Sequence, residues 1–230
     1  MKTIAIIVAG GSGTRFGAQT PKQFLDLKGL PILMRTIRTF AHALGENRDG
    51  SFDVVVTLPA DQFVQWQQLC DRYSFDVPHQ VVAGGETRWH SVKNAIDSIN
   101  DIEGVDVIAV HDGVRPLASV DLIARTIETA RRCGSAIPVV SLNDSVRQVD
   151  GDVSHALDRS TLRAVQTPQA FDARLLLEAY GQPFDKSFTD DASVVERLGH
   201  IITLIEGEPK NLKITRPMDL ALAEYLLNDA

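Results

Sequence analysis

The chain has 230 residues, 44% hydrophobic and 23% charged, with a formal net charge of −7. That length supports one well-buried α/β domain. The acidic balance excludes a general nucleic-acid binder, whose surface must neutralise phosphates, so a site for an anionic ligand needs its own local cluster of Arg and Lys.

The apolar run at residues 4–8 stops before Gly10, too short for a membrane span and without the cleavage pattern of a signal peptide. A buried first strand is expected, in a cytoplasmic protein with no membrane partner. The two cysteines, Cys70 and Cys133, show no zinc or disulfide spacing, which fits a reducing compartment.

Along the chain, short β-branched runs alternate with longer amphipathic stretches. After the first strand comes a glycine-rich loop, then a helix opening near Pro31, a favoured first-turn residue, and running through Ile37 and Phe40. A strand is predicted at 52–58, a helix at 61–72, a brief strand at 80–82 ending at Gly84-Gly85, and a helix within 86–99. Residues 105–110 form a strongly apolar strand leading into His111-Asp112-Gly113, followed by a helix at 121–132 and a strand at 136–140. The chain closes with a helix at 189–198, strands at 201–205 and 211–215, and a helix at 217–227. This alternation predicts a single α/β domain over 1–230, Rossmann-like, with a mostly parallel central sheet.

Residues 145–157 break the pattern. Val146, Val149 and Val153 alternate around Asp150-Gly151, a strong hairpin signal. An isolated hairpin with polar flanks buries little. A projecting arm at about 142–160 is therefore expected, lying against the body of the domain or against a second copy of the chain.

The loop Gly10-Gly11-Ser12-Gly13-Thr14-Arg15-Phe16-Gly17 places four glycines just after a buried strand. Without Cβ atoms, their backbone N–H groups can turn toward a phosphate, although a plain glycine turn would account for them too. A Walker loop would need Gly-Lys-Ser/Thr, but Gly17 is followed by Ala18. A dinucleotide fingerprint would need an acidic residue ending the next strand, which instead ends near Leu58-Pro59. Two cations remain at the far side of the loop, Arg15 and Lys22, the second stiffened by Pro21. Near an α-phosphate such a pair would stabilise the charge that develops as pyrophosphate leaves. Asp112 ends a buried strand at the carboxyl edge, where open α/β sheets bind ligands. It could accept from a substrate hydroxyl, help hold Mg²⁺, or cap the following turn.

Gly-Gly-Ser-Gly-Thr-Arg-Phe-Gly followed by Pro-Lys-Gln-Phe resembles the sugar-nucleotide type of nucleotidyltransferase, in its cytidylyltransferase branch. The likeness continues through Gly84-Gly85-Glu86-Thr87-Arg88 with Ser91-Val92, His111-Asp112-Gly113-Val114-Arg115-Pro116, Thr167-Pro168-Gln169 and Lys213-Ile214-Thr215-Arg216-Pro217. The ordered set is most similar to the 2-C-methyl-D-erythritol 4-phosphate cytidylyltransferases. That resemblance implies transfer of CMP from CTP to a polyol phosphate with a divalent cation such as Mg²⁺.

By the same resemblance, Arg15 and Lys22 act at the α-phosphate, and the backbone of Ala9, Gly10, Gly11, Ser12 and Gly13 cradles the triphosphate. Gly85 and Ser91 select cytosine, Ser91 through a hydroxyl that both donates and accepts. Glu86 stands where the family often has Asp, and Ser145 where it often has Thr. Asp112, Arg115 and Lys213 would meet the acceptor, with Asp112 the candidate metal ligand. Asn211, sharing a predicted strand face with Lys213, is a further candidate facing the metal. In the family the arm crosses a twofold axis, so a homodimer with arm exchange is expected. Ser145 and Arg159 would then complete the neighbour's acceptor site.

Ribitol 5-phosphate cytidylyltransferases share the loop and the arm. A nucleotide-binding regulator that lost the chemistry would keep the fold, although it has less need of Arg15 and Lys22. The remaining signals have bland readings. His111 is structural, since an ionised phosphate nucleophile needs no base. Trp66 and Trp89 are packing residues, and Arg131-Arg132 suits a helix C-terminus. Thr189-Asp190-Asp191 suits helix capping.

Overall fold

The computed structural model describes residues 2–10, 20–45, 52–99 and 102–228. The first strand, β1 (Lys2–Val8), leads by way of the small ribbon β2 (Asp26–Leu27) and β3 (Leu30–Pro31) into α1 (Ile32–Ala43). Next come β4 (Phe52–Leu58), α2 (Phe63–Arg72), β5 (Gln80–Ala83), α3 (Arg88–Asp97), β6 (Val105–Asp112), α4 (Val120–Cys133) and β7 (Ser135–Ser141). The arm is β8 (Val146–Asp150) and β9 (Val153–Leu157), followed by β10 (Arg163–Val165), β11 (Gln169–Asp172) and α5 (Ala173–Tyr180). The chain ends with α6 (Asp191–Glu196), β12 (Leu204–Glu206) and α7 (Pro217–Leu226).

Local chemistry explains the boundaries. Pro31, extended at φ −54°, precedes the first turn of α1. Ser119 and Asp172 cap α4 and α5 by accepting backbone N–H groups, and Gly134 closes α4 at φ +85°, where a side chain would be strained.

The central sheet runs β10-β7-β11-β6-β1-β4-β5, with β12 beside β7. Its core is parallel: β6, β1, β4 and β5 pair in the same direction. Between β6 and β7 lies β11, antiparallel to both, so the sheet is mixed. The period of two then sorts side chains to opposite faces. Ala5, Ile7, Val107 and Ala109 pack with Leu33, Phe40, Trp66 and Ile127, whereas Ile4, Ile6, Ile108 and Val110 pack with Val92, Leu176, Tyr180 and Val194. No helix among the described residues is long and apolar enough to cross a membrane.

Three expectations need correction. Residues 211–215 form no strand. They run as an extended segment joined to the body by Ile214 N–H donating to the Val114 carbonyl at 2.9 Å, with Ile214 buried beside Leu27, Ile32 and Val114. This bond, the apolar anchor and the side-chain contacts of Asn211, Lys213 and Thr215 seat the segment without a ladder. The predicted strand at 201–205 begins only at Leu204, where pairing with Ile137 starts. The acids 190 and 191 divide their work. Asp190 caps α6 with a capping box through Ser193, but Asp191 is fully buried and turned to other partners.

The hairpin forms as expected, with Gly151 at φ +56° in its turn. Among the described residues its two strands pair only with each other. Trp66 stacks on Phe24 and Trp89 on Tyr180, as packing residues do.

Candidate active site

The carboxyl ends of three parallel strands stop level with one another. Val8 is in register with Asp112 and Thr57. The chain leaving each strand is tied to its neighbour: Gly113 N–H donates to Val8 O at 2.8 Å, Ala9 N–H to Thr57 O at 3.0 Å, and Gly84 N–H to Leu58 O at 2.8 Å. Above this edge opens a cleft of about 220 Å³, whose walls include Ala9, Gly10, Lys22, Ser91, Asp112 and Lys213. Residues predicted from four separate stretches of sequence are thereby brought to one place, with Gly85 and Glu86 on the same wall.

Gln23 ties Lys22 to the first strand. It is fully buried, and its amide donates to Ala9 O at 3.0 Å and to Gln62 Oε1 at 2.7 Å. The short helical turn carrying Lys22 is thus fastened to the start of the glycine loop. Gly11, Ser12, Gly13 and Arg15 lie outside the described residues.

On the opposite wall, Thr87 caps α3, and the Ser91 hydroxyl donates to Thr87 O at 3.0 Å while accepting Gly85 N–H at 3.0 Å. The single hydroxyl proton is directed at a carbonyl, so toward a ligand Ser91 offers a lone pair. A Cβ on Gly85 would come within 2.3 Å of His90 Cβ, so the backbone can pass there only as glycine.

Asp112 forms the floor. By alternation along β6 it shares the face of Ile108 and Val110, toward α3. Its Oδ2 receives Arg115 Nε and Lys213 Nζ, each at 3.1 Å, and its Oδ1 faces Arg88 Nε at 3.6 Å. Burial works against the charged carboxylate, but the cations of Arg88, Lys213 and Arg115 outweigh it and hold Asp112 well below the usual carboxylate range. Burial likewise opposes the charge on Arg88, yet Asp191 and Asp112 keep it firmly protonated.

Oδ1 is the oxygen left for a ligand, because the 3.6 Å to Arg88 exceeds a hydrogen bond. Among the described residues no cluster of three His, Cys, Asp or Glu could hold an ion unaided. One carboxylate does suit Mg²⁺, which draws most of its ligands from water and substrate phosphates.

Arg115 stands behind Asp112 rather than on the wall of the cleft. Its Nε is on Asp112, and its Nη1 donates to Asn211 O at 2.8 Å. Asn211 is itself fully buried, donating to Thr167 O at 2.8 Å, with its Oδ1 unpartnered. It lies off the cleft wall, which corrects the expectation of a metal-facing Asn211 beside Lys213; without a strand at 211–215 the two share no strand face.

His111 points to the other side of β6, against Phe40. Its Nε2 is 3.1 Å from the Arg115 carbonyl, which can only accept, so Nε2 carries the proton and Nδ1 accepts from the Thr167 hydroxyl at 3.0 Å. That hydroxyl in turn accepts Asp112 N–H at 3.1 Å. Burial pushes the imidazole down to about 4, so His111 is a neutral brace holding Asp112 and the Arg115 turn. Ser145 and Arg159 are not in this cleft. Both are exposed at the base of the arm, where Arg159 donates to Asn143 O.

Sequence reasoning passed over Gln23, Arg88 and Asp191. All three sit inside or beside quoted motifs, but only burial distinguishes them from surface polar residues.

The family description that matches the chain, over residues 3–229, is 2-C-methyl-D-erythritol 4-phosphate cytidylyltransferase. Among similar proteins, one of that name from Porphyromonas gingivalis is 46% identical over 227 residues, covering 98% of each chain. Another of that name, from Bacteroides fragilis, is 44% identical over 223 residues, covering 97% of this chain and 98% of its own. The crystal structure of 4-diphosphocytidyl-2C-methyl-D-erythritol synthase from Anaerococcus prevotii superimposes with a TM-score of 0.80 at 26% identity, covering 99% and 98% of the two chains.

Proposed function

Because the chain belongs to the 2-C-methyl-D-erythritol 4-phosphate cytidylyltransferase family, we propose that it transfers CMP from CTP to 2-C-methyl-D-erythritol 4-phosphate. The products are 4-diphosphocytidyl-2-C-methyl-D-erythritol and pyrophosphate, a step of non-mevalonate isoprenoid biosynthesis. The observation that carries this reading is the convergence of Lys22, Ser91, Asp112 and Lys213 on one cleft at the carboxyl edge of the sheet.

An ionised oxygen of the acceptor phosphate attacks the α-phosphorus of CTP opposite the pyrophosphate. A new O–P bond forms as the bond to the leaving oxygen breaks, and no proton is moved. Lys22, with Arg15, stabilises the charge developing on the α-phosphate and leaving group, while the backbone from Ala9 to Gly13 holds the triphosphate. Ser91, with its proton on Thr87 O, accepts from the cytosine amine and has nothing to donate to the uracil oxygen. Gly85 meets the base through its backbone. Lys213 orients the attacking phosphate, Asp112 accepts from the acceptor's hydroxyls, and Arg115 serves the acceptor indirectly, by steadying Asp112 from behind. A divalent cation such as Mg²⁺ would draw its ligands mainly from the triphosphate and water, with Asp112 the nearby protein carboxylate, and would add neutralisation of the triphosphate.

The arm completes the site in a homodimer. Val149 is 71% and Val153 57% exposed on a hairpin that has no other strand beside it among the described residues. A second copy covering them would bring its Ser145 and Arg159 to this cleft. Cytoplasmic placement follows from the nature of the reaction and from a composition without a disulfide framework.

Pyrophosphate release, measured with matched CTP and either acceptor, tests the reading. Turnover is expected with 2-C-methyl-D-erythritol 4-phosphate. A preference for ribitol 5-phosphate would reassign the acceptor, and no turnover with either would leave a nucleotide-binding regulator.

A further inference from the structure

The charges of the cleft continue into the core. Arg88, the first residue of α3, is gripped from the far side by Asp191, whose Oδ2 lies 2.7 Å from Nη2. Asp191 is fully buried, and its Oδ1 accepts the Tyr180 hydroxyl at 2.7 Å. Tyr180 is buried in turn and stacks on Trp89 with ring centroids 5.5 Å apart. Burial, and then the charge of Asp191, push its phenol well above the ordinary value, so the hydroxyl remains a donor. The carboxylate of Asp191 is therefore fixed in place from behind.

At the other end, Arg88 Nε stops 3.6 Å from Asp112 Oδ1. That oxygen has no hydrogen-bond donor among the described residues, while Oδ2 is shared by Arg115 and Lys213. A guanidinium with Asp112 as its sole carboxylate would close onto it, since charge-assisted N–H···O bonds settle near 2.7–2.9 Å.

We propose that Asp191 and Tyr180 are positioning residues that hold Arg88 near enough to lend its charge to Asp112 but too far away to occupy Oδ1, which stays open to the acceptor's hydroxyl groups. This rests on the cleft being the acceptor site, as set out above.

The tests are Asp191→Asn, the milder Tyr180→Phe, and the double variant Asp191→Asn with Arg88→Gln, a neutral pair that leaves no buried charge unmatched. In a crystal structure of Asp191→Asn, Arg88 Nε should move to about 3 Å from Asp112 Oδ1. The acceptor KM should rise about tenfold or more while the CTP KM stays within about twofold. Tyr180→Phe should raise the acceptor KM by about threefold. The double variant should recover much of the acceptor affinity, because nothing then closes on Oδ1. A guanidinium that stays where it is, CTP and acceptor affinities that fall together, or a double variant no better than the single would overturn the proposal. If Asp191→Asn does not fold, the same readouts on Tyr180→Phe decide. Failure of the wild type to use the acceptor would remove the functional reading instead, and the crystallographic distance would still judge the positioning claim.

Discussion

The floor of the cleft and the arm are built on opposite terms. At the floor, Asp112 is met by Arg88 from α3, by Arg115 from the turn after its own strand and by Lys213 from near the chain's end. His111 and Thr167 brace its backbone from behind. In the arm, β8 and β9 bond to each other, and two valines stand largely in water. One region has its charges answered within the chain, and the other leaves apolar surface and Arg159 facing outward. The lesson is that one fold can settle the charges of a buried floor within a single chain while leaving another element to present its side chains outward.

The largest expected effect breaks the self-sufficient side. Lys22→Ala should lower kcat by about 10²–10³-fold, as removal of one preorganised charge donor does, with a much smaller change in CTP KM. Equal losses in kcat and affinity, measured by steady-state kinetics, would remove the transition-state role.

The next effect probes the dependent side. Arg15→Ala and Arg159→Ala proteins should each lose on the order of 10²-fold in activity. Mixing them under exchange conditions should restore activity, because a hybrid dimer contains one site with both arginines. Mixed dimers that stay dead would show that the arm does not serve the neighbouring cleft.

A third prediction separates bracing from chemistry. His111 titrates at about 4 in the folded protein, below its ordinary value of about 6.5. The unfolded chain therefore binds the extra proton first. The stability this group confers is fully present above about pH 6.5 and falls as the pH drops toward 4, by up to ~3 kcal/mol. Urea melts from pH 7 to pH 4 should show that loss in the wild type and a flatter profile in His111→Gln. An unchanged slope would mean that His111 is not held neutral.

The smallest effect sharpens the base-reading wall. Ser91→Ala should reduce the preference for CTP over UTP by about tenfold, the worth of one hydrogen bond, with little loss of kcat. An unaltered ratio in a competition assay would move base selection away from that hydroxyl.

Periodicity and turn chemistry alone determined the alternating α/β grammar, the mostly parallel core and the hairpin around Asp150-Gly151, while the motifs that reach the cleft were legible through their resemblance to a family. These are local signals: an apolar run, a glycine turn, a cap. Only the tertiary structure decided the rest. The antiparallel insertion of β11, together with β10 and α5, fell outside the predicted elements, because strand order depends on which edges meet in space. Residues 211–215 look like a strand by their alternation, but no edge stands beside them to supply a ladder. Asp191 looks like a helix cap next to Asp190; it becomes the anchor of Arg88 because the start of α6 is pressed against α3 and Tyr180. Sequence carries the identity of a charge, but burial and the neighbours brought by the fold decide whether it is solvated, structural or poised at a substrate.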